Sequence, residues 1–245
     1  MFTKGLWEQS TQGRYSQLLL EDYDVPSKLS QSILSCTECN KLEDSVAETV
    51  RPFVKPCAHF DIYTNWKPVP VKLAFIAEAP PGNSEGYFYD PLPHVNYMET
   101  LRASLFDLLE LRGETTSARL AQFKERGYFL LDAIKCRCRK KNGQPPELVT
   151  RTCGEKWLMS ELTELDFPKR ICVLGKAAKL ALSQLKAFYE LSVHSVTTDC
   201  GRIVQTDMGQ VLIWPFPSWR NEKYYKSKID DFKRFCYVQP GKEQA

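Results

Sequence analysis

No apolar run in this sequence approaches the roughly 20 residues needed to span a bilayer, which excludes a helical membrane protein. The stretch from Met1 to Leu19 has no uninterrupted apolar segment and no small-residue cleavage site, so it lacks the marks of a secretory leader and a cytoplasmic location is expected. Strong charge of one sign is also missing. With 33 Lys+Arg against 30 Asp+Glu the net charge is only +3, too small to announce nucleic-acid binding, and any basic surface must come from local clustering. Repeats and low-complexity tracts are absent. What is present is 245 residues, 43% of them hydrophobic, enough for one well-packed core with extensions. Nine cysteines, an odd count in a chain expected in the cytoplasm, argue against a disulfide framework and make metal ligation the better question.

Residues 1–66 alternate short amphipathic segments with polar breaks and read as an N-terminal extension, with a helix at 26–35, on a single domain. Val71 to Ala77 is a strand-like run that ends in Glu78-Ala79-Pro80-Pro81-Gly82, where two prolines and a glycine forbid its continuation. Leu101, Leu105, Leu108 and Leu109 have helical spacing within a helix over 98–111, stopped by Arg112-Gly113. A helix over 116–125, a strand over 128–134 and a helix over 147–164, entered through Pro145-Pro146, come next. Residues 170–174 and 211–214 are further apolar strands, Gly175-Lys176 opens a helix, and 222–236 closes the chain with another. Strands alternating with helices predict an α/β fold with a mostly parallel central sheet flanked by helices on both faces. In such sheets ligands sit beyond the carboxyl ends of the strands, so the loops after 77, 134, 174 and 214 are where chemistry belongs.

Cys36-x2-Cys39 pairs by composition with Cys136 and Cys153. Four thiolates drawn from two blocks suit one soft metal centre, zinc or an iron–sulfur cluster. The bland alternative is a chance C-x2-C with small core residues elsewhere. Cys172, within an apolar strand, reads as core; Cys57 and Cys138 are rival ligands, and Cys200 and Cys236 have no spacing partner.

An ordered set of blocks over roughly 30–235 resembles the uracil-DNA glycosylase superfamily, most closely its iron–sulfur family four. After C-x2-C comes Phe75-Ile76-Ala77-Glu78-Ala79-Pro80, similar to the family's water-activating Gly-Glu-Ala-Pro-Gly motif. Leu131-Asp132-Ala133-Ile134-Lys135-Cys136-Arg137 resembles Asn-Val-Val-Lys-Cys-Arg, and Cys153 falls where the fourth cluster ligand falls. Leu174-Gly175-Lys176-Ala177-Ala178 is similar to the Leu-Gly-x-x-Ala helix start, and Trp214-Pro215-Phe216-Pro217-Ser218 stands in place of His-Pro-Ser. The resemblance implies a three-layer α/β/α fold, DNA as partner, and a structural [4Fe–4S] cluster on Cys36, Cys39, Cys136 and Cys153 in preference to zinc. No obligate protein partner is indicated.

A glycosylase without a covalent intermediate breaks the C1′–N1 bond of a flipped nucleotide through a cationic sugar, so a carboxylate near C1′ is needed. The resemblance gives that role to Glu78, which would orient water and stabilise the cation, with Glu85 a weaker assistant. Two departures matter more than the matches. Phe216 replaces a histidine that stabilises charge on the departing base; losing one such donor costs roughly 10²–10³ in rate. His94 and His194 are not at the motif position. Asp132 replaces the asparagine that reads the base edge. An amide donates to O4 and accepts from N3–H of uracil, whereas an ionised carboxylate only accepts, as it does from the N4 amino group of cytosine. Asp132 therefore points toward a cytosine derivative, unless it merely pairs with Lys135 or Lys140. Ordinary cytosine is no sensible target, since excising it would destroy the host genome, so a modified cytosine such as the 5-substituted kinds in some viral DNA, and with it a defence role, is the expectation.

Phe88, in Tyr87-Phe88-Tyr89, lies where the family stacks a ring on the everted base, and Ser218 completes the base-recognition set. Lys135, Arg137, Arg139, Lys140 and Lys141 put five positive charges into seven residues, whose natural use is phosphate neutralisation, with a solvated charged turn as the alternative. Trp219 or Arg220 would wedge into the gap left by the nucleotide, and Lys176 at a helix start would meet a phosphate. Three functions follow: a glycosylase for modified cytosine, an ordinary uracil-DNA glycosylase, and a catalytically silent DNA-binding module of the same fold.

Overall fold

A computed structural model of the chain describes residues 27–38, 50–51, 55–81, 87–90, 101–138, 145–193, 196, 199–217 and 221–237. Its centre is a five-stranded sheet. In chain order the strands are β2 (Leu73–Ala77), β3 (Tyr128–Asp132), β5 (Arg170–Leu174), β6 (Ile203–Thr206) and β7 (Gly209–Trp214); β1 (Val50–Arg51) and β4 (Arg137–Cys138) form a separate two-stranded ribbon. The sheet order is β3-β2-β5-β7-β6, parallel throughout except for the β6–β7 hairpin. Every residue of β2 and β3 is buried, as expected of parallel strands covered on both faces. On edge strand β6 exposed and buried residues alternate, so one of its faces meets water.

The helices are α1 (Lys28–Leu34), α2 (Pro56–His59), α3 (Ile62–Asn65), α4 (Leu101–Leu108), α5 (Thr116–Glu125), α6 (Glu147–Cys153), α7 (Met159–Glu164), α8 (Lys176–Leu182), α9 (Glu222–Tyr225) and α10 (Ile229–Cys236). The chain is a three-layer α/β/α fold. On one face of the sheet Phe75 meets Phe123 of α5 at 5.7 Å and Phe232 of α10 at 6.4 Å, and Phe232 also packs 4.6 Å from Trp214. The N-terminal elements join the same core through Ile33, Cys57, Ala58, Ile62 and Tyr63. Among the described residues no helix is long and apolar enough to cross a membrane.

The single helix expected over 147–164 is divided by a π-helical segment, Gly154–Leu158. Gly154 allows a close approach there: a Cβ on it would stand 2.9 Å from the Ala181 carbonyl oxygen of α8. Cys153, just before this wider turn, and Glu161, after it, are both buried.

Candidate active site

The carboxyl ends of β3, β2, β5 and β7 lie along one rim of the sheet, and the predicted catalytic and base-reading positions come out there side by side. Ala77 pairs with Asp132 across β2 and β3, so Glu78 begins its loop one residue beyond that pair. The loop is tied to its neighbour by Ala133 N–H donating to Ala77 O at 2.8 Å and Ile134 N–H donating to Glu78 O at 3.0 Å. Glu78 and Asp132 are both buried, each at 4% exposure. Asp132 also stands close enough to Cys57 and Tyr89 for its charge to push both of their ionisations upward, although burial is the larger cause for each.

Beyond the next strand of the rim, β5, Gly175 takes φ +96° and donates to Trp214 O at 2.9 Å. A Cβ on Gly175 would come 3.4 Å from Cβ of Phe216, so the glycine lets the post-β7 loop settle over β5. Phe216 is half-buried between buried Pro215 and Pro217, and its carbonyl accepts from Asn221 Nδ2 at 2.8 Å. A phenyl ring therefore occupies the place of the family's histidine, with no side-chain donor. Lys176 is exposed at the same rim, where a phosphate can reach it. Glu85, His94, Arg139, Lys140, Lys141, His194, Ser218, Trp219 and Arg220 lie outside the described residues, as does Cys39.

Three expectations are corrected. Phe88 is not a stacking platform: it is buried, with Phe106 at 5.6 Å, Phe123 at 5.0 Å and Tyr89 at 5.0 Å around it in edge-to-face contact, leaving no open ring face for a base. Its segment is clamped by Arg102, whose buried guanidinium donates to the carbonyls of Tyr87, Phe88 and Asp90. Phe88→Ala is expected to lower stability by about 3–5 kcal/mol, read by chemical denaturation, while base release per folded molecule changes little.

Lys135 and Arg137 are not on a DNA-facing surface either. Lys135 is 1% exposed and its Nζ lies 2.6 Å from Oε2 of Glu161, itself fully buried, while also donating to the main-chain carbonyl of Asp132. Tyr63 donates its hydroxyl to Oε1 of the same glutamate. Burial pulls the Lys135 ammonium down, but the facing Glu161 together with the thiols of Cys57 and Cys153 outweighs it and raises its ionisation; burial in turn pushes the Glu161 carboxyl up. Arg137, in β4, is fully buried. At Lys135 a paired charge replaces phosphate contact because an unpaired buried ion costs several kcal/mol. Glu161→Ala should therefore destabilise the fold by about 3–5 kcal/mol in denaturant titration, with Lys135→Met/Glu161→Leu recovering most of the loss. Arg102 and Glu161 escaped the sequence reading; the available signal was a lone arginine among the apolar residues of α4.

Three of the four proposed metal ligands share one pocket. Cys36, Cys136 and Cys153 line it together with Ile33, Lys55, Lys135 and Lys156. The Lys135 backbone N–H donates to Cys153 Sγ at 3.3 Å, the kind of contact that stabilises a ligating sulfur. Among the described residues no three His, Cys, Asp or Glu side chains are grouped for a single ion. Cys57 is not on the pocket wall. It is buried beside Lys135, Glu161 and Asp132, and burial raises its thiol above the usual range, which suits an inert core thiol. Cys172 is core, as expected, and the Cys138 side chain is outside what is described.

Parallel strands that bring two buried carboxylates to one rim define an α/β/α protein of the kind whose ligands, as a rule, bind beyond the strand ends. Residues 65–237 match the family model of the Uracil DNA glycosylase superfamily, and the chain belongs to that superfamily. A comparison with curated proteins found no match. Enzymes of that superfamily act on DNA as glycosylases, and membership is consistent with that class of activity and with DNA as the partner of this chain.

Proposed function

We propose that this chain is an iron–sulfur glycosylase akin to family four that hydrolyses the N-glycosidic bond of an everted, modified cytosine and leaves an abasic site. The observation that carries this is the juxtaposition of two buried carboxylates on adjacent strand ends, Glu78 beyond β2 and Asp132 at the end of β3, with Ala77 and Asp132 in register. Glu78 orients a water toward C1′ and stabilises the positive charge on the sugar as the C1′–N1 bond breaks; the bonding pair leaves with the base, and the water's oxygen closes on C1′ as its O–H bond breaks and the proton passes to the Glu78 carboxylate. Asp132 accepts from the N4 amino group and opposes the O4 of uracil. Phe216 contributes shape and no hydrogen bond, so a base whose 5-substituent improves it as a leaving group is favoured. Such bases occur in some viral DNA, which makes defence against foreign DNA the biological role that fits. Lys176, with Arg139, Lys140, Trp219 and Arg220, forms the DNA-contacting set.

What supports a thiolate-held centre is that its cysteines come to one pocket, the described ones being spaced too widely for a single ion. Cys36, Cys136 and Cys153 line one cavity, a backbone N–H reaches one of the sulfurs, and Cys39 would be the fourth ligand. When bound, a [4Fe–4S] cluster supplies cross-linking and no chemistry at the glycosidic bond. The residues around it hold the loop that carries Asp132, since Lys135 grips that residue's carbonyl and its own N–H meets Cys153.

Phe216 also favours a second possibility, a DNA-binding module without catalysis. A panel of duplex oligonucleotides containing uracil, hydroxymethylated cytosine or glucosylated cytosine, scored for abasic sites, separates these. Release of the modified cytosines with little from uracil is the expected result. Efficient uracil release with none from the others refutes the redirection, and release from none of them favours the silent module.

A further inference from the structure

We propose that Lys55 is the built-in countercation of the thiolate-held centre, an inference that rests on the metal reading above. Lys55 is 3% exposed, and its ammonium donates to two main-chain carbonyls, Leu34 O at 2.6 Å and Cys36 O at 2.7 Å. Leu34 is the last residue of α1 and Cys36 lies two residues beyond it, at the end where the helix dipole places partial negative charge. Pro56, at the first position of α2, follows directly and fixes the backbone from which the side chain extends. The lysine thus holds the segment that delivers Cys36, and it lines the same pocket as Cys36, Cys136 and Cys153.

Its charge is what sets it apart from the other two lysines of the pocket. Lys135 is neutralised by Glu161 at 2.6 Å, and Lys156 by Glu38 at 2.7 Å. Among the described residues Lys55 meets no carboxylate, only carbonyl dipoles. An isolated buried ammonium costs several kcal/mol, so the charge that Lys55 brings to this wall, which among the described residues faces carbonyls alone, suits the cavity to an anionic occupant. A cubane or a zinc ion held by four thiolates carries about two units of negative charge. Lys55 offsets part of that charge from one wall while the Lys135 N–H acts on Cys153 from another. It is a positioning residue and takes no part in base release.

The test is the rate at which protein as purified gives up its metal to a chelator, followed by iron and zinc analysis. Lys55→Arg keeps the charge, Lys55→Gln removes it and leaves a shorter N–H donor, and Lys55→Met removes both. The expected result is a half-time close to wild type for Lys55→Arg and at least tenfold shorter for Lys55→Gln. If Lys55→Met fails to fold, the Gln and Arg variants still decide. Equal half-times for Lys55→Gln and wild type overturn the countercation role while leaving the metal centre standing. Wild-type protein that holds neither iron nor zinc overturns the ligand set itself, and the role of Lys55 with it.

Discussion

Asp132→Asn shifts preference from modified cytosine toward uracil, with a swing in the ratio of kcat/KM values as large as about 10⁴. The two side chains have the same shape, so the exchange alters the hydrogen-bond pattern and little else. Asparagine offers N–H to a carbonyl and C=O to an N–H, the complement of uracil; a carboxylate offers two acceptors and leaves O4 facing like charge. Burial makes the mismatch expensive, because water is not at hand to repair it. The position is also held firmly: β2 pairs with it on one side, and Lys135 takes its main-chain carbonyl. Competition between the two substrates in one reaction measures the ratio directly. A ratio unchanged by the substitution means that Asp132 does not read the base.

Glu78→Gln is expected to slow single-turnover base release by about 10²–10⁴. The amide has the carboxylate's size and still binds water, but it cannot take the proton or carry the negative charge that a cationic sugar requires. Anchoring of the Glu78 main chain by Ile134 N–H is indifferent to the change, so folding should survive it. DNA affinity should also persist, because phosphate contacts lie on other residues. The effect therefore falls on the rate constant and not on binding.

The rim of the sheet was legible in the sequence because its signals are local. An apolar run stopped by Glu78-Ala79-Pro80-Pro81 can only be a buried strand followed by a loop, and Arg170–Leu174 has the same form. Edge strand β6 was missed because Ile203–Thr206 is short and buries only alternate residues. The helix over 147–164 has the right ends, but its periodicity does not show the wider turn at Gly154–Leu158, which depends on the approach of α8. The basic cluster misled for a related reason. Charge density argues for a surface, yet Lys135 finds its partner in Glu161, which only the fold brings near. Phe88 failed likewise: three consecutive aromatics do not say which ring faces the core, and Phe106 and Phe123 settle it in space. Lys55, whose partners are carbonyls, leaves no complementary residue in the sequence to look for.

The account turns on a carboxylate at the end of β2 acting on an everted nucleotide, and the direct test follows eversion and release in one sample. A duplex carrying hydroxymethylated cytosine beside 2-aminopurine reports eversion by fluorescence, and abasic sites report release, for wild type and Glu78→Gln together. The prediction is an unchanged eversion signal with release at least a hundredfold slower in the variant. Equal release by the two proteins would contradict it.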